Sequence, residues 1–273
     1  MFPAAIWIHT PLVKSAVYLA FLVMQHWELV FFFLLIACIY ASVGFGGGSS
    51  YLAVLAVYAM PFQEIRLTAL ICNIIVVTGA TIIFISKGRV NWRKIAPLVL
   101  ASVPLAYLGA TLKISEHVFF IVLGFSLLLA SLLLWMKAEK ADVEVDPENS
   151  QPVRDGLLGG AIGFLSGLVG IGGGIFLSPL LNLTKWDSAK RVAAAASVFI
   201  LVNSVAGIAG QLNSLRSDIN YTRIGVLCMA VLAGGQIGSR LGAMKFDHLV
   251  VRRVTAVLVF VAGVEVLWKH LPL

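Results

Sequence analysis

The stretch "GFGGGSSYLAVLAVYAMP", residues 44–61, places four glycines between a long apolar run and a short one. A second stretch, "GIGGGIFLSP" at residues 170–179, repeats this arrangement later in the chain. Glycine weakens a helix interior and contributes no side chain to a packed core. Such a cluster indicates a place where the backbone turns sharply or is approached closely, so the two stretches predict two interrupted helices.

The sequence around these stretches is far more apolar than that of a soluble domain. Of its 273 residues, 60% are hydrophobic and 12% are charged, and its mean hydropathy is +0.97. A soluble domain is about half apolar and about a quarter charged. Apolar runs of about 20 residues, the length that crosses a bilayer, recur along the chain. The composition predicts an all-α integral membrane protein, and the net charge of +7 indicates basic cytoplasmic loops rather than nucleic-acid binding.

Landmarks other than the glycines also recur in the second half of the chain. The run "RLTALICNIIVVTGA" starts at Arg66 and "RVAAAASVFILVNSVAG" starts at Arg191, 125 residues later. Asn91-Trp92 is matched by Asn220-Tyr221, 129 residues later, and this steady offset predicts an internal repeat. The predicted divisions are an N-terminal extra helix or interfacial segment at 1–26, repeat 1 at 27–137, a cytoplasmic linker at 138–154 and repeat 2 at 155–273.

Each predicted repeat contains a long apolar run, a glycine cluster, a short run and three full-length runs. The short runs, 49–60 and 175–183, cover less than about 20 Å at 1.5 Å per residue, whereas the hydrocarbon layer is about 30 Å thick. They either span poorly or return partway across as one arm of a broken hairpin. Both arrangements give each half an odd number of crossings, and the two halves then have opposite orientations.

The distribution of lysine and arginine distinguishes inverted from parallel halves. With inverted halves most of these residues fall on one side of the membrane, whereas four crossings per half would divide them almost evenly. Basic residues concentrate in cytoplasmic loops. We therefore predict two inverted repeats, each with a glycine-broken helix, a short helix and three full-length transmembrane helices.

Inverted repeats with broken helices are typical of secondary transporters, whose binding sites lie near the membrane midplane. A helix that starts just after each glycine cluster presents free N–H groups and the positive end of its dipole, which favour an anion. The alternative is that the glycines only permit tight helix crossing; their pairing favours binding. The candidate substrate-binding residues at the breaks are Gly46, Gly47, Gly48, Ser49, Ser50, Gly172, Gly173, Gly174 and Ser178.

The paired glycine clusters and the run "RVAAAASVFILVNS" resemble the sulfite exporter TauE/SafE family, over about Glu28 to Leu267. A Thr-Ser pair usual in that family reads Ala196-Ser197 here, so one hydroxyl is missing. The resemblance implies a transporter of small anions, typically sulfite, sulfoacetate or related organosulfur compounds, that runs on an ion gradient. It also implies a multi-pass protein of the cell membrane, in bacteria the plasma membrane.

Polar residues inside the apolar runs that follow the short segments are further candidates. Asn73, Ser197 and Asn203 either contact the ligand or form interhelical hydrogen bonds. Arg66 and Arg191 begin these same runs, where a cation opposes the helix dipole. They either extend to the membrane interface or place an anion-attracting charge at each vestibule.

Two other functions remain open from the sequence, a passive anion channel and a sulfur-compound relay that depends on Cys38, Cys72 and Cys228. No nucleophile motif, metal-ligand spacing or cofactor fingerprint is evident, so we expect no enzyme, no catalytic residue, no metal and no cofactor. The expected partners are the small anion and the lipid bilayer, with a homodimer left open. No carboxylate lies centrally in a run, so if protons are coupled to transport we expect the substrate to carry them, as bisulfite.

Overall fold

The computed structural model describes residues 27–43, 46–58, 60–136, 151–212, 219–241 and 248–271. The segment 1–26 and nearly all of the linker predicted at 138–154 lie outside these residues. Within the described part the chain forms helices and no strand. The helices are α1 Trp27–Val43, α2 Gly48–Val57, α3 Phe62–Ser86, α4 Trp92–Thr111, α5 Glu116–Trp135, α6 Pro152–Val169, α7 Gly174–Leu183, α8 Ala189–Gln211, α9 Tyr221–Leu241 and α10 His248–His270.

The lengths of these helices confirm the predicted all-α membrane fold. Five of the described helices, α3, α4, α5, α8 and α9, are long and apolar enough to cross a membrane. The helices α2 and α7 are apolar and have 10 residues each, so each covers about 15 Å. They are the two short helices expected after the glycine clusters.

The glycine clusters interrupt the helices by adopting backbone conformations that other residues rarely adopt. Gly47, which precedes α2, has a φ of 83°, and Gly173, which precedes α7, has a φ of 82°. Gly170 ends α6 in the same left-handed region, with a φ of 85°, and its N–H donates to the Ser166 carbonyl oxygen at 2.7 Å. An L side chain is strained in this region, which explains why both breaks consist of glycine.

An acidic residue at the start of each broken helix contacts an aromatic residue after the short helix. In the second half Trp186 Nε1 donates to Asp155 Oδ2 at 2.9 Å, and in the first half Glu28 lies beside the Tyr58 hydroxyl. Partial burial, together with the Glu28 carboxylate, raises the pKa of Tyr58. Each short helix therefore returns to the end at which its long helix began, and each pair is a broken hairpin.

Glycines on α6 bring its backbone directly against that of α4. A Cβ on Gly163 would lie 2.6 Å from the Ser102 carbonyl oxygen. One helical turn before and after it, Gly159 and Gly167 contact the α4 backbone at Leu98 and Ala106. On α9, Gly234 and Gly238 meet the α1 backbone in the same way. These contacts advance in the same direction along both helices, so α4 runs parallel to α6 and α9 runs parallel to α1.

The helix contacts are related by exchange of the two halves. Each helix of the first half has a counterpart in the second half, from α1 and α6 to α5 and α10. When every helix is exchanged for its counterpart, each of the principal pairs of helices in contact becomes a pair that is also in contact. The helices α5 and α10 are equivalent under this exchange and pack against each other in antiparallel fashion, since Gly124 meets Leu267 and Ser131 Oγ donates to the Ala256 carbonyl oxygen at 3.0 Å. The halves thus have the contact pattern of a two-fold relation.

Two buried ion pairs join the halves at opposite ends of the bundle. Lys94 Nζ, at the start of α4, lies 3.4 Å from Asp187 Oδ2, just before α8. Arg223 Nε, at the start of α9, lies 2.7 Å from Glu64 Oε1, at the start of α3. Because α3 ends where α4 begins, these pairs mark two ends, which we name the Lys94 end and the Glu64 end.

Candidate functional site

A cavity of about 70 Å³ lies where the two broken hairpins meet. A water molecule needs about 10–15 Å³ by this measure, so the cavity can hold a small ion and some water. Its polar lining combines residues of both breaks and of α1, α3, α7 and α10. These residues are Tyr40, Gly46, Gly47, Gly48, Ser49, Asn73, Gly174, Ser178, Asn182, Arg252 and Thr255.

The two breaks approach each other around Asn73, which lies on α3. Asn73 Nδ2 donates to the carbonyl oxygen of Ile171, in the second break, at 2.9 Å. A Cβ added to Gly48, in the first break, would lie 2.5 Å from that same oxygen. Gly46 and Gly172 also lie against the Asn73 side chain. The absence of side chains on these glycines is therefore what allows the two breaks and Asn73 to share one small space.

Each short helix begins at the cavity with N–H groups that have no helical partner. In α2 the first bonded amide is that of Ser50, which donates to the Gly47 carbonyl oxygen at 3.0 Å. Within the described residues, nothing accepts from the amides of Gly48 and Ser49, nor from those of Gly174 and Ile175 at the start of α7. Two helix N-termini thus face one cavity, and both favour negative charge there.

Two buried polar atoms at the cavity lack a hydrogen-bond partner among the described residues. They are Ser49 Oγ and Asn73 Oδ1, on side chains that are 2% and 0% exposed. A buried polar atom without a partner costs about 1–3 kcal/mol. Because Asn73 Nδ2 is held by Ile171, Oδ1 is fixed as an acceptor. A bound molecule that fills the cavity would satisfy both atoms.

The wall of the cavity on the α8 side is apolar. Asn73 is the twelfth residue of α3, and the residue at the same position in its counterpart α8 is Ile200. Ile200 lies against Gly172 and Gly174. The other apolar lining residues are Ile171, Ile175, Pro179 and Leu134. The equivalent helices α3 and α8 thus contribute unlike surfaces, an amide from α3 and hydrocarbon from α8.

Several predicted site residues do not line the cavity. Ser50 Oγ bonds to the Tyr40 hydroxyl at 2.8 Å, and Tyr40 itself is a lining residue. Ser197 Oγ donates to the Ala193 carbonyl oxygen of its own helix at 2.9 Å. Asn203 Nδ2 donates to Ser102 Oγ on α4 at 3.0 Å, which is an interhelical hydrogen bond. Gly172 and Gly173 form the backbone of the second break without lining the cavity.

The two predicted vestibule arginines also lie outside the cavity lining. Arg66 is 3% exposed, and its Nη2 donates to the carbonyl oxygens of Gly167 at 2.9 Å and Ala110 at 3.4 Å. These oxygens belong to the C-terminal turns of α6 and α4, where positive charge is favourable. Arg191 is 45% exposed at its side chain, and its Nη1 lies 3.6 Å from Asp187 Oδ1. Arg66 thus binds helix ends rather than extending to the interface.

The sequence did not single out Tyr40, Asn182, Arg252 or Thr255 as site residues. Asn182 lies one turn beyond Ser178 on α7 and donates to its carbonyl oxygen at 2.8 Å, a spacing that the sequence shows. From the sequence Arg252 is one basic residue near the start of an apolar run, and nothing local indicates that the start of α10 meets the breaks. Cys72 and Cys228 contact each other, and neither they nor Cys38 line the cavity.

Apolar helices that surround a polar cavity at two helix breaks define a membrane transport protein. The chain belongs to the sulfite exporter TauE/SafE family, whose model matches residues 29–266. It is 33% identical to "Probable membrane transporter protein y4hK" of Sinorhizobium fredii, over 86% of this chain and 96% of that protein. It is 27% identical to "Probable membrane transporter protein" of Xylella fastidiosa strain Temecula1, over 67% and 71% of the two chains.

A more distant likeness is to "Probable membrane transporter protein MamO" of Paramagnetospirillum magneticum, 26% identical over 76% of this chain and 38% of that protein. No solved structure matches the chain. The family match confirms the resemblance drawn from the glycine clusters. The protein is a multi-pass bacterial membrane transporter.

Proposed function

We propose that the protein is a secondary transporter of a small anion, which binds between the two glycine breaks. Sulfite or a related organosulfur anion such as sulfoacetate is the proposed substrate, as the family description suggests. The observation that carries the proposal is the cavity at which both short helices begin, with Ser49 Oγ and Asn73 Oδ1 buried there without partners. The protein acts by moving this anion and not by a chemical reaction.

The charges at the cavity support an anion over a cation. Arg252 is the one charged side chain among the described lining residues. The described carboxylates in ion pairs, such as Glu64 and Asp187, pair with cations at the ends of the bundle. The unbonded amides of α2 and α7 add partial positive charge from two directions. A small anion therefore gains favourable contacts there that a cation would not.

The acceptor atom Asn73 Oδ1 affects the protonation state in which the anion binds. An anion offers acceptors to the helix amides, but Oδ1 requires a donor. An ordered water or a protonated oxygen of the substrate, as in bisulfite, supplies that donor. The described lining contains no carboxylate that would carry a proton, which supports the substrate as the carrier if transport is coupled to protons.

The proposed mechanism is alternating access by two inverted halves. The antiparallel packing of α5 against α10 supports the inversion, as does the position of the Lys94–Asp187 pair, since α3 and α8 begin at opposite ends. Polar lining residues extend along α7 from the break towards Asn182, in the direction of the Lys94 end. The basic residues of the 87–94 and 185–191 segments support a cytoplasmic location for this end.

The path from the breaks to the Glu64 end is filled by apolar side chains. By position in their helices, Ser178, Asn182 and Arg252 of the second half correspond to Leu52, Ala56 and Phe120 of the first half. All three first-half side chains are buried. Phe120 packs on Phe119, with ring centroids 5.1 Å apart. These buried apolar side chains support a conformation closed towards the Glu64 end, which favours a carrier over an open channel.

The test is sulfite transport into proteoliposomes by Ser49→Ala, with Ser166→Ala as the matched control. Both serines are buried and neither hydroxyl has a partner in the part of the chain that the structure describes, but only Ser49 lines the cavity. We expect Ser49→Ala to lower the transport rate at subsaturating sulfite at least fivefold, because one hydrogen bond is worth about 1 kcal/mol. Ser166→Ala should leave this rate within about twofold of the wild-type rate. Equal rates for the two variants would contradict the proposed site.

A further inference from the structure

Arg252 is a basic residue that lies at the cavity, inside the last helix of the bundle. It lies in the first turns of α10, is half-buried, and lines the cavity together with Thr255, one turn further along the helix. Thr255 in turn lies beside the hydroxyl of Tyr40, which bonds to Ser50 at the start of α2. The face of α10 that carries Arg252 is therefore continuous with the first break.

The contacts of Arg252 use only part of its guanidinium group. Its Nη2 donates to the carbonyl oxygens of Met136 at 2.6 Å and Leu133 at 3.2 Å, at the C-terminal end of α5. Among the described residues nothing accepts from its Nε or Nη1, and no carboxylate pairs with it. A guanidinium carries five N–H donors in a planar fork. Arg252 thus retains donors for an anion while it stays attached to α5.

The other cations near the bundle core are already neutralised or lie elsewhere. Lys94 pairs with Asp187, Arg223 pairs with Glu64, and Arg66 is enclosed by helix C-termini. In contrast, Arg252 is a cation without an acidic partner in the described structure, and it lies at the cavity where two helix N-termini meet. We infer that Arg252 is a specificity-determining residue that contacts the transported anion and makes the site prefer doubly charged over singly charged anions, in which case an ordered water and not a protonated substrate oxygen donates to Asn73 Oδ1.

This inference rests on the proposed anion site, and the charge of Arg252 distinguishes it from a purely structural contact. Loss of the contact to α5 would weaken every ligand by the same factor. Loss of a charge that faces the ligand weakens a dianion more than a monoanion, because the Coulomb energy scales with the product of the charges. The ratio of two affinities therefore reports the inferred role and is insensitive to a general change of packing.

The experiment measures dissociation constants of the purified protein for sulfate, sulfoacetate, sulfite and methanesulfonate at pH 8. The first three are largely doubly charged there, whereas methanesulfonate has the shape of sulfate and one charge. The variants are Arg252→Gln, Arg252→Lys and, as the matched control, Arg253→Gln, which replaces an exposed neighbour. We expect Arg252→Gln to weaken the dianions about tenfold, or about 1.4 kcal/mol, and methanesulfonate by less than threefold. Arg252→Lys should keep most of the preference, and Arg253→Gln should change nothing.

Other results would overturn the inference in distinguishable ways. Unchanged affinities in Arg252→Gln, or a uniform loss for all four probes, would exclude the selective role. If Ser49→Ala weakens binding while Arg252→Gln does not, the proposed site stands and only the inference fails. If the wild type binds none of the probes, or if Ser49→Ala leaves all affinities unchanged, the proposed anion site fails and the inference fails with it.

Discussion

Asn73 Nδ2, on a helix of the first half, donates to the carbonyl oxygen of Ile171, in the helix break of the second half, at 2.9 Å. The bond joins residues 98 positions apart and fixes the orientation of the amide, so that Asn73 Oδ1 is left without a donor in the described structure. One side chain thus holds the two halves together at the cavity and presents an unfilled acceptor there.

Replacement of Asn73 by alanine should reduce both stability and ligand binding. The Ile171 carbonyl oxygen would lose its donor, at a cost of about 1–3 kcal/mol, and the proposed ligand, or the water bound with it, would lose the acceptor Asn73 Oδ1. The measurement is the thermal unfolding of the purified protein with and without sulfite. Asn203→Ala is the control, because Asn203 makes a comparable buried bond to Ser102 away from the cavity. It should lower the melting temperature but keep the shift caused by sulfite, and loss of that shift in both variants would count against a ligand contact specific to Asn73.

A methyl group at Gly48 should obstruct the cavity without straining the backbone. Gly48 is not among the glycines with positive φ, but a Cβ there would lie 2.5 Å from the Ile171 carbonyl oxygen and would collide with Asn73 Nδ2. We expect Gly48→Ala to abolish the thermal shift caused by sulfite. Gly79→Ala, with nothing within 4 Å of its Cβ, should retain it and gain slightly in stability through helix propensity. Sulfite binding to Gly48→Ala at wild-type affinity would show that the breaks do not enclose the ligand.

The buried ion pair at the Glu64 end should be far more important for stability than the exposed pair on α10. Removal of the cation in Arg223→Gln leaves the Glu64 carboxylate, whose side chain is 2% exposed, without its partner, and such a loss costs about 3–5 kcal/mol. Lys269→Gln breaks a pair whose side chains are 46% and 38% exposed and should cost less than about 1 kcal/mol. Denaturant unfolding in detergent compares the two, and similar losses would contradict the proposed role of the buried pair.

A cysteine-free protein should transport as well as the wild type. Cys38, Cys72 and Cys228 are free thiols outside the cavity lining, so their joint replacement by alanine should leave the sulfite transport rate within about twofold, the scale of a small packing change. Transport into proteoliposomes is the measurement. An inactive triple variant with normal thermal stability would favour the cysteine-dependent relay.

The orientation of the halves is open to a labelling test in this cysteine-free background. Single cysteines at Arg89 and Lys185 should react with an impermeant thiol reagent from the cytoplasmic side, and one at Lys113 should react from the opposite side. In parallel halves Arg89→Cys and Lys185→Cys would be labelled from different sides, which would exclude the inverted arrangement.

Features that depend on local sequence were predictable, whereas features set by the packing register were not. The breaks at Gly47 and Gly173 follow from the conformational freedom of glycine, and the 10-residue helices follow from the lengths of the apolar runs. The choice between a spanning and a returning short helix depended on Trp186 meeting Asp155, which is a tertiary contact. That Arg252 reaches the cavity depends likewise on the packing of α10 against α5, and no local pattern encodes it.

The binding of the anion between the two breaks is tested most directly by a crystal of the protein soaked in selenite, with the anomalous signal of selenium used to locate the ion. We expect a selenium peak within about 4 Å of the amides of Gly48 and Gly174 and of Ser49 Oγ, a distance set by hydrogen bonds through a selenite oxygen. A selenium site elsewhere in the helix bundle, with the two breaks packed against each other and no ion between them, would contradict the proposed binding.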